Sequence, residues 1–191
     1  MIPTIHEVAC ALRGTYRLAR GDRRGADDFE DGPEAALRSF WVALAVFPPS
    51  MAMVVLQRWS QFDDISATRI LVVEMISYVI DWVAFPLAMF YFAASIGRSQ
   101  QFFRYLTAYN WAGLPQLALS IPVVVIGQTD LLDDGLTTLI VMVLILLLLA
   151  YHWFIARAVL EVSEGMAVGV VALDTLLVFI VSQATDSLVL G

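Results

Sequence analysis

The sequence predicts an all-α membrane protein, a bundle of five transmembrane helices preceded by an N-terminal amphipathic interfacial helix. Two observations predict it. Of 191 residues, 60% are apolar and only 15% charged, with a mean hydropathy of +0.77. That is more apolar surface than a soluble core of this size can hide. The apolar residues also fall into blocks of about 20, and about 20 residues of helix cross a hydrocarbon layer about 30 Å thick.

Composition excludes several classes of function. The single cysteine, Cys10, has no intramolecular partner, and His6 and His152 stand too far apart to build a metal site by themselves. All eleven basic residues are arginine, so no lysine serves a phosphate-binding loop or a Schiff base. The net charge of −7 argues against a nucleic-acid partner. No cofactor, no catalytic constellation and no enzyme activity are expected.

The chain opens without an apolar region long enough for a cleavable signal, and no apolar run leads to Cys10 as a lipidation site would require. Thr4 and Glu7 have capping-box spacing after Pro3, and Gly21 stands where a helix would end. Between them Ile5, Val8, Leu12, Tyr16 and Ala19 share one helical face, with Arg13, Arg17 and Arg20 beside it. Such a helix lies on an anionic leaflet or packs on the protein's own loops. Residues 21–35, with three glycines, Pro33 and six acidic residues, read as an exposed linker closing a cytoplasmic segment over 1–35.

The membrane domain over 36–191 has spans predicted at about 36–56, 70–94, 103–126, 136–156 and 165–187, bounds good to a few residues. Arginine placement sets the orientation. With the N-terminus inside, nine arginines are cytoplasmic and only Arg58 and Arg69 are outside. The acidic third loop, with Asp130, Asp133 and Asp134, then faces outward, and the C-terminus is periplasmic in a bacterial inner membrane. Trp41, Trp59 and Trp153 fall near span ends, where aromatic belts form.

Chemistry concentrates in the second span. Glu74, Ser77, Tyr78 and Asp81 can share one helix face. Counted from Ile70, Asp81 lies about 16 Å deep, and Asp174, counted from Gly165 on the other side, about 13 Å deep. No arginine stands at that depth to pair with either carboxyl. Intramembrane carboxylates face the bundle interior and find polar partners, and Asn110 and Gln116, with Ser77 and Tyr78, are the expected donors. One reading makes Asp81 and Asp174 a proton or cation pathway. The other, preferred here, makes them polar links between helices. Neither aspartate has the tyrosine-aspartate or glycine-rich surroundings of an intramembrane aspartic protease.

Pro48, Pro49, Pro86, Pro115 and Pro122 fall inside predicted spans and imply kinks. Gly165 and Gly169 form a G-x-x-x-G that permits close helix packing, within the chain or across a homo-oligomer. The fourth span is almost wholly Leu, Ile and Val and is expected to face lipid, with His152 an interfacial residue at its cytoplasmic end.

The third span, Tyr109-Asn110-Trp111-Ala112-Gly113-Leu114-Pro115, resembles the tyrosine-then-proline pattern of the Yip1-type membrane proteins. So does the stretch from Trp153 to Leu177, where Arg157-Ala158-Val159-Leu160 and Glu161 lead into Gly165 and an Ala/Val-rich last span. Ala108 stands where typical family sequences carry glycine. The resemblance, to the bacterial inner-membrane branch, covers about the last two thirds of the chain. It implies five spans, a cytoplasmic N-terminal segment and a non-enzymatic function. The expectation is therefore a scaffold that organises other membrane components, with the lipid bilayer, other membrane proteins or a second copy as partners. The alternative is a small proton- or cation-coupled transporter or channel subunit built on the intramembrane carboxyls. A polar cavity reaching the aspartates would favour transport, and carboxyls sealed by Asn110, Tyr78 or Ser77 would favour the scaffold.

Overall fold

The computed structural model describes residues 2–129 and 131–190, so Asp130 of the acidic third loop lies outside the described residues. The described residues form seven α-helices: α1 (Ile5–Ala19), α2 (Pro33–Ser39), α3 (Trp41–Gln57), α4 (Ala67–Ser95), α5 (Phe102–Gly127), α6 (Asp134–Val159) and α7 (Glu164–Leu190). Among the described residues there is no β-strand. Five segments, α2 with α3 and then α4 to α7, are long and apolar enough to cross a bilayer. The chain is an all-α, multi-pass membrane bundle.

Local chemistry sets where the helices begin and end. Thr4 Oγ1 accepts from the Glu7 N–H while Glu7 accepts from the Thr4 N–H, closing the capping box of α1. Gly21, at φ +76°, ends α1 in a Schellman turn, its N–H bonded to the Leu18 carbonyl and that of Asp22 to Arg17. Asp133 caps α6 by accepting from the Leu136 N–H. The helices exceed the predicted spans by a few residues at most ends, where caps and polar turns carry them past the apolar runs.

One expectation is corrected. The stretch 21–35 is not an exposed linker: Arg23–Asp28 coils into a 3₁₀ helix, and Gly25, Ala26 and Phe29 are buried against α1. The physical reason is glycine on glycine. A Cβ at Gly25 would stand 2.7 Å from the Gly14 carbonyl oxygen, and one at Gly14 would stand 2.7 Å from the Phe29 ring. The first span, from Pro33, meets its predicted bounds to a few residues and breaks at Phe40, where the backbone tightens to i→i+3 bonds and the Ser39 hydroxyl donates to the Ala36 carbonyl.

Around the bundle α3 neighbours α5, α5 neighbours α6, α6 neighbours α7, α7 neighbours α4, and α4 returns to α3, while α4 also packs on α5 through Phe85 and Phe90. The core lies toward the end that carries α1, where Phe85, Met89, Tyr105, Trp111, Ile155 and Val159 are buried together. Beneath that end, Tyr151 donates to the Thr15 carbonyl and fastens α1 to α6. At the opposite end α4 and α7 pack closely through Ile70 and Val189, and space opens between this pair and α3.

Candidate functional site

Asp81 is the midpoint of α4, fourteen residues from each end, so at about 1.5 Å per residue it sits about 21 Å from either terminus. Its carboxylate makes no hydrogen bond or ion pair among the described residues. Two cavities meet at this side chain. The central one, about 390 Å³, is lined by Asp81, Tyr78, Trp82, Tyr109, Asn110, Gln116 and His152 with apolar residues of α3 and α7. The outer one, about 400 Å³, runs from Asp81 past Ser77, Glu74 and Gln57 to Arg58 and Gln61. The polar face of α4 read from the sequence therefore lines both chambers.

The expected donors to the aspartates are engaged elsewhere. Ser77 bonds to Thr185, binding α4 to α7. Tyr78 donates to the Ala43 carbonyl at 2.5 Å, and Asn110 donates to Ser39 Oγ at 2.8 Å. Glu74 is not a free intramembrane carboxyl: Arg58 reaches it at 2.5 Å and Asp186 at 2.7 Å, an ion triad at the end away from α1. Arg58 is the partner that depth counting missed, because its long side chain reaches down from just beyond α3.

Asp174 differs from Asp81. It accepts from the Tyr109 hydroxyl at 2.8 Å and faces His152 Nδ1 at 3.4 Å, while His152 Nε2 lies 3.2 Å from Gln116 Oε1. His152 is thus not an interfacial residue but the centre of a chain joining α5, α6 and α7. A ring protonated on both nitrogens donates to both oxygens, while a neutral ring donates to one and the Gln116 amide turns its NH₂ to the other. Counting residues could have found the trio. From the α1 end of their helices, Tyr109 and His152 lie about 10 Å deep and Asp174 about 15 Å.

Between the central cavity and a third one toward α1, about 240 Å³ and lined by Glu7, Arg38, Ser39, Thr107 and Trp111, stands the Ser39–Asn110 bond. Asn110 is 1% exposed and its Oδ1 has no partner. The first two chambers share Asp81; the third is separated from them by this amide and the buried aromatic core beside it.

On α1, Arg13 and Arg17 both bind Asp28, at 2.6 and 3.0 Å. Burial works to raise the Asp28 pKa, but the two guanidiniums outweigh it and hold the carboxyl below its ordinary value. Glu7 is likewise lowered, first by the Thr4 N–H and then, against the cost of burial, by Arg38. Arg20 stacks on Tyr16 and bonds its hydroxyl. The face of α1 that docks is Ala11, Gly14, Thr15 and Leu18, so Ile5, at 90% exposure, Leu12 and Tyr16 point away from the bundle. Gly165 and Gly169 also meet nothing, each having open space where a Cβ would stand, so the G-x-x-x-G packs no helix of the same chain. The middle of α6, from Leu139 to Leu147, is largely exposed apolar surface, as a lipid-facing helix requires.

No group of three or more His, Cys, Asp or Glu among the described residues is placed to hold a metal ion. What the site offers is one unpaired carboxylate at the junction of two cavities and, beside it, a hydrogen-bonded chain through His152. Comparison with known proteins finds no matching family model, no matching curated protein and no matching solved structure.

Proposed function

We propose that this chain is a small proton- or cation-coupled transporter or channel subunit, with Asp81 the carboxyl its cargo meets. The observation that carries the reading is Asp81 itself, unpaired at the middle of α4 where two cavities join, each lined in part by polar side chains. An uncompensated carboxylate at that depth is costly and is retained where it serves a pathway. Of the two outcomes named from the sequence, a cavity reaching the aspartate is the one that argues for transport.

In this reading the outer chamber, past Arg58 and Glu74, admits the cargo, and Asp81 receives it. His152 and Asp174 accept or return a proton next to it. The closed side is the Ser39–Asn110 bond with the aromatic core around Phe85, Tyr105 and Trp111. Opening there requires the Ser39–Asn110 bond to break, next to the helix break at Phe40, and the aromatic core to part. With the N-terminus cytoplasmic, as the arginine count proposes, this conformation is open to the outside. Proton flux and cation flux in liposomes, each driven by its own gradient, test the reading. The parent should carry a flux that Asp81→Asn abolishes at equal protein level, and a parent without either flux refutes it.

A second reading, the non-enzymatic scaffold of Yip1-type layout in the inner membrane, draws on the open Gly165–Gly169 face and the outward apolar face of α1. Affinity capture from native membranes should then return a reproducible partner that Gly169→Leu loses.

A further inference from the structure

The central cavity has features that proton transfer alone does not need. Its volume of about 390 Å³ falls within the range of small-molecule sites, whereas a proton needs only a file of waters. Its single unpaired charge is the Asp81 carboxylate. The guanidinium nearest along the polar path, Arg58, is committed to Glu74 and Asp186, and the lining contains no lysine or arginine. Aromatic side chains line the cavity with Asp81: Tyr78 and Trp82 stand 6.1 Å apart between ring centroids, and Tyr109 of α5 is part of the same lining. Those rings are held in place. Phe47 meets Tyr78 edge-on at 5.2 Å, Phe40 packs on Trp82 at 6.3 Å, and the Tyr78 hydroxyl is tied to Ala43.

A carboxylate in a cavity lined by aromatic side chains, with the neutral amides of Asn110 and Gln116 in the same lining, complements a cation that carries carbon. Bare metal ions want several oxygen or nitrogen ligands converging at short range, and no such group is present among the described residues. We infer that the central cavity binds a small organic cation of the alkylammonium or quaternary ammonium class, its positive centre against Asp81 and its methyl or methylene groups against Tyr78, Trp82 and Tyr109. This inference rests on the carrier reading above and supplies its substrate class. The apolar lining from Val46, Met53 and Leu117 covers the rest of such a ligand.

The experiment is calorimetric titration of the full-length protein in lipid nanodiscs, with choline as the probe and its uncharged carbon isostere as the control. Choline should bind saturably at one site per chain and the isostere should not. Asp81→Asn should weaken choline at least about tenfold, and Trp82→Leu by about threefold to thirtyfold, the range of a cation–π contact. Glu161→Gln, outside the cavity, should change nothing. Absence of saturable choline binding to the parent, equal binding of the isostere, or binding that survives Asp81→Asn overturns the inference. The parent titrations stand whether or not a variant folds. Asp81-dependent proton or cation flux in liposomes without choline binding refutes the organic cation and leaves the carrier; absence of both refutes the two together.

Discussion

Replacing each intramembrane aspartate by alanine should separate their roles through stability alone. Asp174 accepts from Tyr109 at 2.8 Å and faces His152 at 3.4 Å, with both the aspartate and the histidine side chains only 13% exposed. Hydrogen bonds to a charged group contribute about 1.5–3 kcal/mol each, and Asp174→Ala also strands the Tyr109 hydroxyl. Asp81 has no such bond to lose. Both substitutions gain up to about 0.7 kcal/mol of helix propensity, so that contribution cancels between them, leaving a difference of about 1.5–3 kcal/mol. At about 2–4 °C per kcal/mol for a chain of this length, Asp174→Ala should unfold about 3–12 °C below Asp81→Ala. Thermal unfolding in one detergent, followed by circular dichroism, reads this directly. Equal midpoints, or Asp81→Ala the lower, would refute the assignment of Asp174 to the helix-joining chain and of Asp81 to the open cavity.

Gly14→Ala should loosen the docking of α1 on the 3₁₀ segment, because its Cβ would stand 2.7 Å from Phe29 and 2.9 Å from the Gly25 carbonyl; at about 1–3 kcal/mol, tryptic cleavage among Arg13 to Arg24 should speed up several-fold, and an unchanged rate contradicts the packing. Arg58→Gln removes the one partner Glu74 has among the described residues, with Glu74 12% exposed, and should cost about 3 kcal/mol of stability, most of it recovered on adding Glu74→Gln. Acid should free α1. Glu7 and Asp28 have lowered pKa values, so the stability they contribute is present above the ordinary carboxylate value of about 4 and lost as pH falls through their lowered values. Hydrogen exchange over residues 5–29, corrected for intrinsic rates, should rise below about pH 4 and show no such rise in Asp28→Asn with Glu7→Gln.

The membrane architecture was legible because length and hydropathy are local properties. A run such as Leu136 to Leu149 declares its solvent without reference to any other residue. So was the polar face of α4, since Glu74, Ser77, Tyr78 and Asp81 recur at helical spacing, and all four line a cavity. The partners were not legible. Ser39 to Asn110, Tyr109 to Asp174 and Arg58 to Asp186 join residues 65 to 128 positions apart, and no local pattern encodes which helix stands next to which. Arg13 and Arg17 illustrate the same limit. Beside an apolar face they read as lipid-binding charges, yet Asp28, in a stretch that composition marks as linker, claims both. The reading of 21–35 failed because glycine signals flexibility in the sequence, whereas Gly14 and Gly25 here let two backbones approach more closely than any side chain permits.

The distribution of large and small side chains explains why one bundle contains both a tight core and open chambers. On α4 the residues toward α1 are Phe85, Met89 and Ala93, all buried, and on α5 the first eleven positions include Phe102, Tyr105, Leu106 and Trp111. Large rings alternating with alanine at facing positions fill space to the density of an interior. Past Trp111, α5 continues with Gly113, Gln116 and Ser120, and α3 faces it with Ser50 and Gln57. These are small or polar residues that cannot fill the gap that the five helices leave. Without a hydrophobic drive between helices in lipid, packing and hydrogen bonds must hold the bundle. The aromatic half and the α4–α7 seam at Ser77–Thr185 supply that hold, so α3 is free of the task along its outer half. The cavity at Asp81 is the consequence: the chain places its polar residues where the packing is not needed for stability, and the charge stands in the space that results.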